Sequence, residues 1–225
     1  MIPCSPRWLS GLRKMCTTYE VPLILDEVQT GFGRTGKMFA FEHAGITPDV
    51  LVLSKALGGG LPLSVVVYDE SLDIWQPGAH AGTFRGNLLG MVAGLATLRF
   101  IRRERLDEHA HVVGQRLFGH LNGLAKDHPC IGDVRGRGLM LGVEIIQPGE
   151  LDSLGRPLAG TERASAIQRA CLRRGLILEL GGRHGSTLRL LPPLIITEAE
   201  VDRVAEIFAR ALADVEGAAR SSAQA

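Results

Sequence analysis

The sequence predicts an α/β protein: part of a parallel-sheet large domain over residues 1–104, then a smaller α+β domain over residues 105–225. Three observations carry that expectation. Two apolar runs of strand character, Leu23–Leu25 and Val50–Leu53, each end near a single charge and then in Gly-rich backbone. A helix-patterned segment precedes the first run, and helix followed by parallel strand is half of a βαβ unit. Beyond Ile131, short strand-like runs joined by Gly turns are segregated from amphipathic helices, which suits an α+β unit.

Each element has a local reason. Residues 6–19 place Trp8, Leu9, Leu12 and Met15-Cys16 on one helical face. Pro22 then biases the chain toward extended backbone into the strand that ends at Asp26. A second strand, Val50–Leu53, leads into Ser54-Lys55 and the turn Gly58-Gly59-Gly60. Leu61–Tyr68 reads as a further buried strand, and Pro77–Asn87 as a polar loop. Asn87 is placed to cap a helix over 88–103, in which Gly90, Ala93, Gly94 and Ala96 suggest close packing against another backbone. A second helix runs over 106–126. Strands are expected at Ile131–Arg135 and Leu139–Ile146, a Pro/Gly loop over 148–160 and a helix over 162–174. A hairpin follows, Leu176–Leu180 with Thr187–Leu191, closed by Pro192-Pro193. Thr197 and Glu200 form a capping-box pattern that opens the last helix.

Composition narrows the function. Lys+Arg 25 against Asp+Glu 24 leaves a net charge of +1, so no bulk field draws nucleic acid or an anionic membrane. The four cysteines are scattered without CxxC pairing, which fits a reduced, cytoplasmic setting better than a disulfide framework. The histidines show no metal-ligand spacing. The longest apolar stretch, Leu88–Ile101, is rich in Gly and Ala, carries Arg99 and is too short to span a bilayer. Near the start, Pro3, Pro6 and Arg7 interrupt any signal-like apolar run.

The chemistry concentrates at the two strand ends. In open α/β sheets ligands sit outside the carboxyl ends of strands. Asp26 and Lys55, at two such ends, can face one ligand from opposite sides. A ligand with an aldehyde for the amine and a basic ring nitrogen for the acid satisfies both, and pyridoxal phosphate is such a ligand. Taken singly, the two charges also read as a solvated lysine and a helix-capping aspartate. A rival motif lies between them. Gly31-Phe32-Gly33-Arg34-Thr35-Gly36 matches G-x-G-x-x-G, with Asp49 downstream as a ribose ligand. Four residues separate Asp26 from Gly31, however, and the stretch after Gly36 is too short for a crossover helix. The loop is therefore expected to shape a lid or a dimer contact.

The run LILDEVQTGFGRTGKMFAFEHAGITPDVLVLSKALGGGLPLS resembles the signature of the class III pyridoxal-phosphate aminotransferases. The likeness continues through TFRGN, RGRGLMLGVEI and LRLLPPLIIT. It implies the fold type I architecture, a pyridoxal 5'-phosphate cofactor, and a homodimer whose subunits share active sites. By position, Lys55 resembles the Schiff-base lysine and Asp26 the partner of the ring nitrogen. Val28 resembles the residue packed on the ring, and Gln29 the one that hydrogen-bonds its phenolic oxygen. Thr83 resembles the threonine that reaches the phosphate of the other subunit. Arg189 resembles the small-domain arginine that grips a substrate carboxylate, a task suited to a planar guanidinium. Without the resemblance, Thr83 reads as a loop hydroxyl and Arg189 as a solvated edge-strand residue. Glu27 is expected to support the loop rather than the site.

The run DIWQPGAHAGTFRGN resembles the diaminobutyrate–2-oxoglutarate subgroup more than the ornithine or 4-aminobutyrate enzymes. That implies an amino acid and a keto acid as small-molecule partners: L-glutamate with L-aspartate 4-semialdehyde, giving L-2,4-diaminobutyrate and 2-oxoglutarate. Family members are about twice as long. The resemblance therefore implies a C-terminal half, without the phosphate-binding turn, the ring-stacking aromatic or the acid that masks the small-domain arginine. A non-catalytic remnant or interaction module of the same fold, an ornithine- or 4-aminobutyrate-type enzyme, and an aminomutase all stay open on the sequence.

Overall fold

The structure, a computed structural model, describes residues 1–223, and side chains as far as residue 218. The chain divides into two compact units: Cys4–Ala110, and the chain from His111 onward joined by Met1–Pro3.

The first unit opens with helix α1 (Pro6–Thr18), whose N-terminus is capped where Ser5 Oγ accepts the Trp8 amide at 3.1 Å. The expected inward face is narrower than its pattern. Leu9 is buried, while Trp8 and Met15 are more than half exposed. The helix meets the short 3-10 turn Ala40–Ala44, a contact too small to cover a full apolar stripe. Strand β1 (Ile24–Asp26) then pairs in parallel with β2 (Val50–Leu53), in the register Ile24↔Val50 and Asp26↔Val52. The entry to both strands is pinned by Asp49, whose carboxylate accepts from the Leu23 amide at 2.6 Å and from Arg13 at 2.5 Å.

Strand β3 corrects the expected buried strand over 61–68. It covers only Val65–Tyr68, runs antiparallel to β2 at the sheet edge, and leaves Val66, Val67 and Tyr68 exposed. An all-apolar run suits a strand covered on both faces, and among the described residues this strand is not covered so. Residues 59–64 are bent instead, with Gly59 and Gly60 at positive φ. Helix α2 (Leu88–Arg103) starts at Asn87, whose Oδ1 accepts the Gly90 amide at 3.2 Å. Its glycines permit the expected close approach. A Cβ at Gly90 would lie 3.3 Å from the Pro62 carbonyl oxygen, and one at Gly94 would lie 2.7 Å from Leu63 Cδ2.

Helix α3 (Leu106–Asp127) runs through the division between the units. The second unit continues with β4 (Ile131–Arg137), β5 (Met140–Leu151), β6 (Pro157–Ala159), α4 (Thr161–Arg173), β7 (Glu179–Gly181), β8 (Thr187–Leu190) and α5 (Glu198–Ala223). Its antiparallel sheet has the order β4-β5-β8-β7, with β6 added on β5. The extension of β5 to Leu151 and the short β6 lie in what the sequence presents as a Pro/Gly loop. Three residues, Pro157–Ala159, are too few to show a strand period. Helix α4 packs on α5 and on β5, β7 and β8. Leu141, Val143, Ile145, Ile167, Leu188, Phe208 and Leu212 form a fully buried core. The capping box is present: the Thr197 amide donates to Glu200 at 2.8 Å, and the Glu200 amide donates to Thr197 Oγ1 at 3.3 Å. Among the described residues no helix is long and apolar enough to cross a membrane, and no cluster of His, Cys, Asp and Glu can hold a metal ion.

Candidate active site

Asp26 and Lys55 stand at the carboxyl ends of two hydrogen-bonded parallel strands. Asp26 pairs with Val52, the Glu27 amide donates to the Val52 carbonyl at 2.9 Å, and Lys55 follows three residues later. With strands about 4.8 Å apart and about 3.3 Å of rise per residue, the two Cα atoms lie within about 11 Å. Both side chains are exposed. Asp26 Oδ1 accepts the Val28 amide at 2.9 Å, so carboxylate, Val28 and Gln29 belong to one turn. Val28 is half-buried and Gln29 exposed.

Lys55 adopts φ +49, the left-handed region that L residues with a Cβ rarely occupy. Such backbone costs about 1–3 kcal/mol and persists only where its surroundings hold it. Here they do. The Leu57 amide donates to the Ser54 carbonyl at 3.1 Å, the Gly59 amide to the Ala56 carbonyl at 3.2 Å, and Ser54 Oγ to the Leu63 carbonyl at 2.9 Å. These bonds close a short loop with the lysine at its corner.

The segment between the two strand ends is packed rather than lid-like, which corrects the lid half of that expectation. Gly31, Phe32, Gly33, Thr35 and Gly36 are buried, and Phe32 meets Phe39 edge-on at 5.9 Å. Glu27, 3% exposed, anchors the segment from below. Its Oε2 accepts the Ala40 amide at 2.7 Å and Thr30 Oγ1 at 3.3 Å, and its Oε1 accepts the Phe41 amide at 2.8 Å. Burial pushes this carboxyl up from its ordinary value, and the two amides oppose the shift. The dinucleotide reading has no support here. Asp49 is engaged by Arg13 and Leu23, and the glycines lead to a 3-10 turn rather than a crossover helix.

Thr83 lies in the exposed loop that leads to Asn87, in the same unit. A cleft of about 820 Å³ runs beside this loop, lined by Ser54, Leu63, Phe84, Arg85, Asn87 and Met91 among others. Asp26, Lys55 and Thr83 do not line it.

Arg189 belongs to the other unit. Strand β8 lies between β5 and β7, so Arg189 is not on an edge strand, and its side chain is only 18% exposed. Gly142 is its register partner on one side and Glu179 on the other. Arg189 Nη1 pairs with Glu179 Oε2 at 2.9 Å. A Cβ at Gly181 would lie 2.8 Å from Arg189 Cδ, so the arginine stem depends on that glycine for room. Sequence reasoning does not single out Glu179. Its signal is the hairpin register: once Gly181 faces Thr187, Glu179 must face Arg189.

Comparison with known proteins shows the family. Residues 1–212 match the aminotransferase class-III family. The chain is 57% identical over 212 residues to a diaminobutyrate–2-oxoglutarate aminotransferase of Rhizobium meliloti, covering 94% of this chain and 45% of the relative. It is 44% identical to one of Haemophilus influenzae, over 95% of this chain and 47% of the relative. The solved structure of Plasmodium falciparum ornithine delta-aminotransferase superposes with a TM-score of 0.83 at 32% identity, covering 95% of this chain and 51% of that one. The chain thus spans about half the length of the relatives it matches. With 212 of its residues inside the family pattern and the fold superposed on a solved member, this chain belongs to the class III aminotransferases, a pyridoxal-phosphate-dependent family of fold type I.

Proposed function

We propose that this chain supplies Lys55 and Asp26 to an aminotransferase site that moves an amino group between L-glutamate/2-oxoglutarate and L-aspartate 4-semialdehyde/L-2,4-diaminobutyrate. The observation that carries the reading is the placement of an amine and a carboxylate at the ends of adjacent parallel strands. The residues present fit the cofactor. Asp26 is held by the Val28 amide at the mouth of the sheet, and the amine sits on a braced corner beside it. The 57% identity to a diaminobutyrate–2-oxoglutarate aminotransferase favours these substrates over ornithine or 4-aminobutyrate.

Pyridoxal phosphate, when bound, supplies an aldehyde for amine capture and a protonated ring that takes up an electron pair. In the proposed roles Asp26 accepts the ring N–H and keeps the proton there by its charge. Lys55 would hold the cofactor through its aldehyde and, once released by the incoming amino acid, would serve as general base toward the substrate Cα proton. Val28 would pack on the ring, and Gln29 would donate to its phenolic oxygen. Thr83 donates its hydroxyl to the phosphate held by a second copy of the chain, which makes the assembly a homodimer. Arg189 would clamp a substrate carboxylate. The whole activity belongs to an assembly of which this chain spans about half the length of a relative.

The test is incubation with pyridoxal phosphate, borohydride reduction and peptide mapping. A pyridoxyl label on Lys55 is expected. A folded chain without label at Lys55 overturns the proposal and favours a non-catalytic module of the same fold.

A further inference from the structure

We propose that Glu27 is a positioning residue for the strand-end acid: its buried carboxylate fixes the turn that holds Asp26, Val28 and Gln29 against the β1–β2 edge. This rests on the reading of Asp26 as the cofactor's ring-nitrogen partner, and it assigns the work of placing that acid to its neighbour in sequence.

The geometry concentrates on one residue. Through its backbone, Glu27 ties β1 to β2, its amide donating to the Val52 carbonyl at 2.9 Å. Its own carbonyl accepts the Gly31 amide at 3.1 Å, which closes the turn over Val28–Thr30. A Cβ at Gly31 would approach that carbonyl to 3.0 Å, so the turn sits directly on Glu27. The side chain also takes two main-chain amides, Ala40 at 2.7 Å and Phe41 at 2.8 Å, one on each oxygen. Residues 28–39 are thereby closed into a loop with both ends on Glu27. Val28, whose amide holds Asp26 Oδ1, is its first residue.

A carboxylate suits this task, because both oxygens accept and both partners donate. Glutamine offers one acceptor and turns an NH2 toward the second amide, a donor against a donor. The amide left facing that NH2 loses the acceptor it has on Glu27. Aspartate is one methylene short of spanning the two amides. Neither conservative replacement keeps the loop closed, which separates this role from simple charge or simple bulk.

The test compares Glu27→Gln and Glu27→Asp with Thr30→Val, which removes only the 3.3 Å contact to Oε2. Hydrogen exchange is read at the Val28, Ala40 and Phe41 amides, with Leu51 and Ile101 as reference amides in the same unit. In both Glu27 variants, exchange at the three loop amides should rise about tenfold or more, with Leu51 and Ile101 unchanged. Thr30→Val should leave all five near wild type. Pyridoxal phosphate is then titrated, following its dissociation constant and the visible circular dichroism of the bound cofactor, which reports ring orientation. About tenfold weaker binding is expected, with a diminished dichroic band and Lys55 still labelled. Unchanged exchange at Val28 overturns the proposal. So does a loosened loop with cofactor affinity and dichroism intact, and so does equal loosening at Leu51 and Ile101, which marks general support. If the wild-type chain takes no pyridoxal phosphate, the functional reading fails, while the exchange arm still decides whether Glu27 holds Asp26 in place.

Discussion

Residues 4–110 and the unit that begins at His111 differ in how many of their large apolar side chains stay exposed. In the second, Leu141, Val143, Ile145, Leu188, Phe208 and Leu212 are fully buried between one antiparallel sheet and its helices. In the first, Ile24, Val66, Val67, Leu88, Leu89 and Val92 are exposed around three short strands. The unit that carries Asp26 and Lys55 leaves more large apolar side chains exposed than the unit that carries Arg189. Strand-end chemistry needs only two strands in register and a braced loop. A closed core needs a facing layer as well.

The comparison can be broken at several points, beginning with the largest effect. Lys55→Ala should abolish covalent capture of pyridoxal phosphate and lower transamination in an assembled enzyme by about 10³-fold or more, the scale on which removal of a reacting group registers. Because Lys55 is exposed, exchange at Leu51 and Phe208 should not move. Retention of the pyridoxyl label elsewhere in the loop would remove the lysine from its role. Phe208→Ala should cost about 3–5 kcal/mol, confined to the second unit. Thiol labelling in urea can locate that loss. Burial pushes the Cys130 and Cys171 thiols up to about 12 and about 11, whereas Cys4 lies exposed in the first unit. The variant should expose Cys130 and Cys171 at lower urea without changing Cys4.

Gly94→Ala probes the first unit by overpacking. The new methyl would meet Leu63 Cδ2 at 2.7 Å and the Leu57 carbonyl oxygen at 3.3 Å, for a loss of about 1–3 kcal/mol. Urea melts should place that loss in residues 4–110. A smaller effect is expected from pH at Asp49. The Leu23 amide and the Arg13 guanidinium hold its carboxyl below the ordinary 3.8. A depressed acid contributes stability above its unfolded value and loses it as pH falls through the folded one. The first unit should therefore weaken from about pH 4 downward. Asp49→Asn should flatten that limb in residues 4–110 and leave the second unit's acid response unchanged, as read by exchange.

The sequence made the strand-end pair legible because apolar runs that end in a charge and glycine are local signals. The Asn87 cap, the Thr197–Glu200 box and the tight approach at Gly90 and Gly94 were legible for the same reason. Other features depend on partners distant in sequence. Nothing near Glu27 announces that its oxygens will meet amides at positions 40 and 41, since every residue offers an amide. Glu179 meets Arg189 only through the hairpin register. The outward Trp8 and Met15 and the bare faces of β3 show the limit of periodicity. It marks which surface is apolar and not whether the same chain covers it.

The mount of Lys55 has a thermodynamic consequence. A lysine on loose backbone that captures a carbonyl gives up both main-chain and side-chain freedom. Here the main-chain share is already fixed by three hydrogen bonds and a left-handed corner, leaving the torsions of the four-carbon stem to be ordered. Such preorganisation tightens association without adding a contact. If Lys55 has the proposed role, cutting the brace between Ser54 and Leu63 should weaken capture of pyridoxal phosphate through entropy.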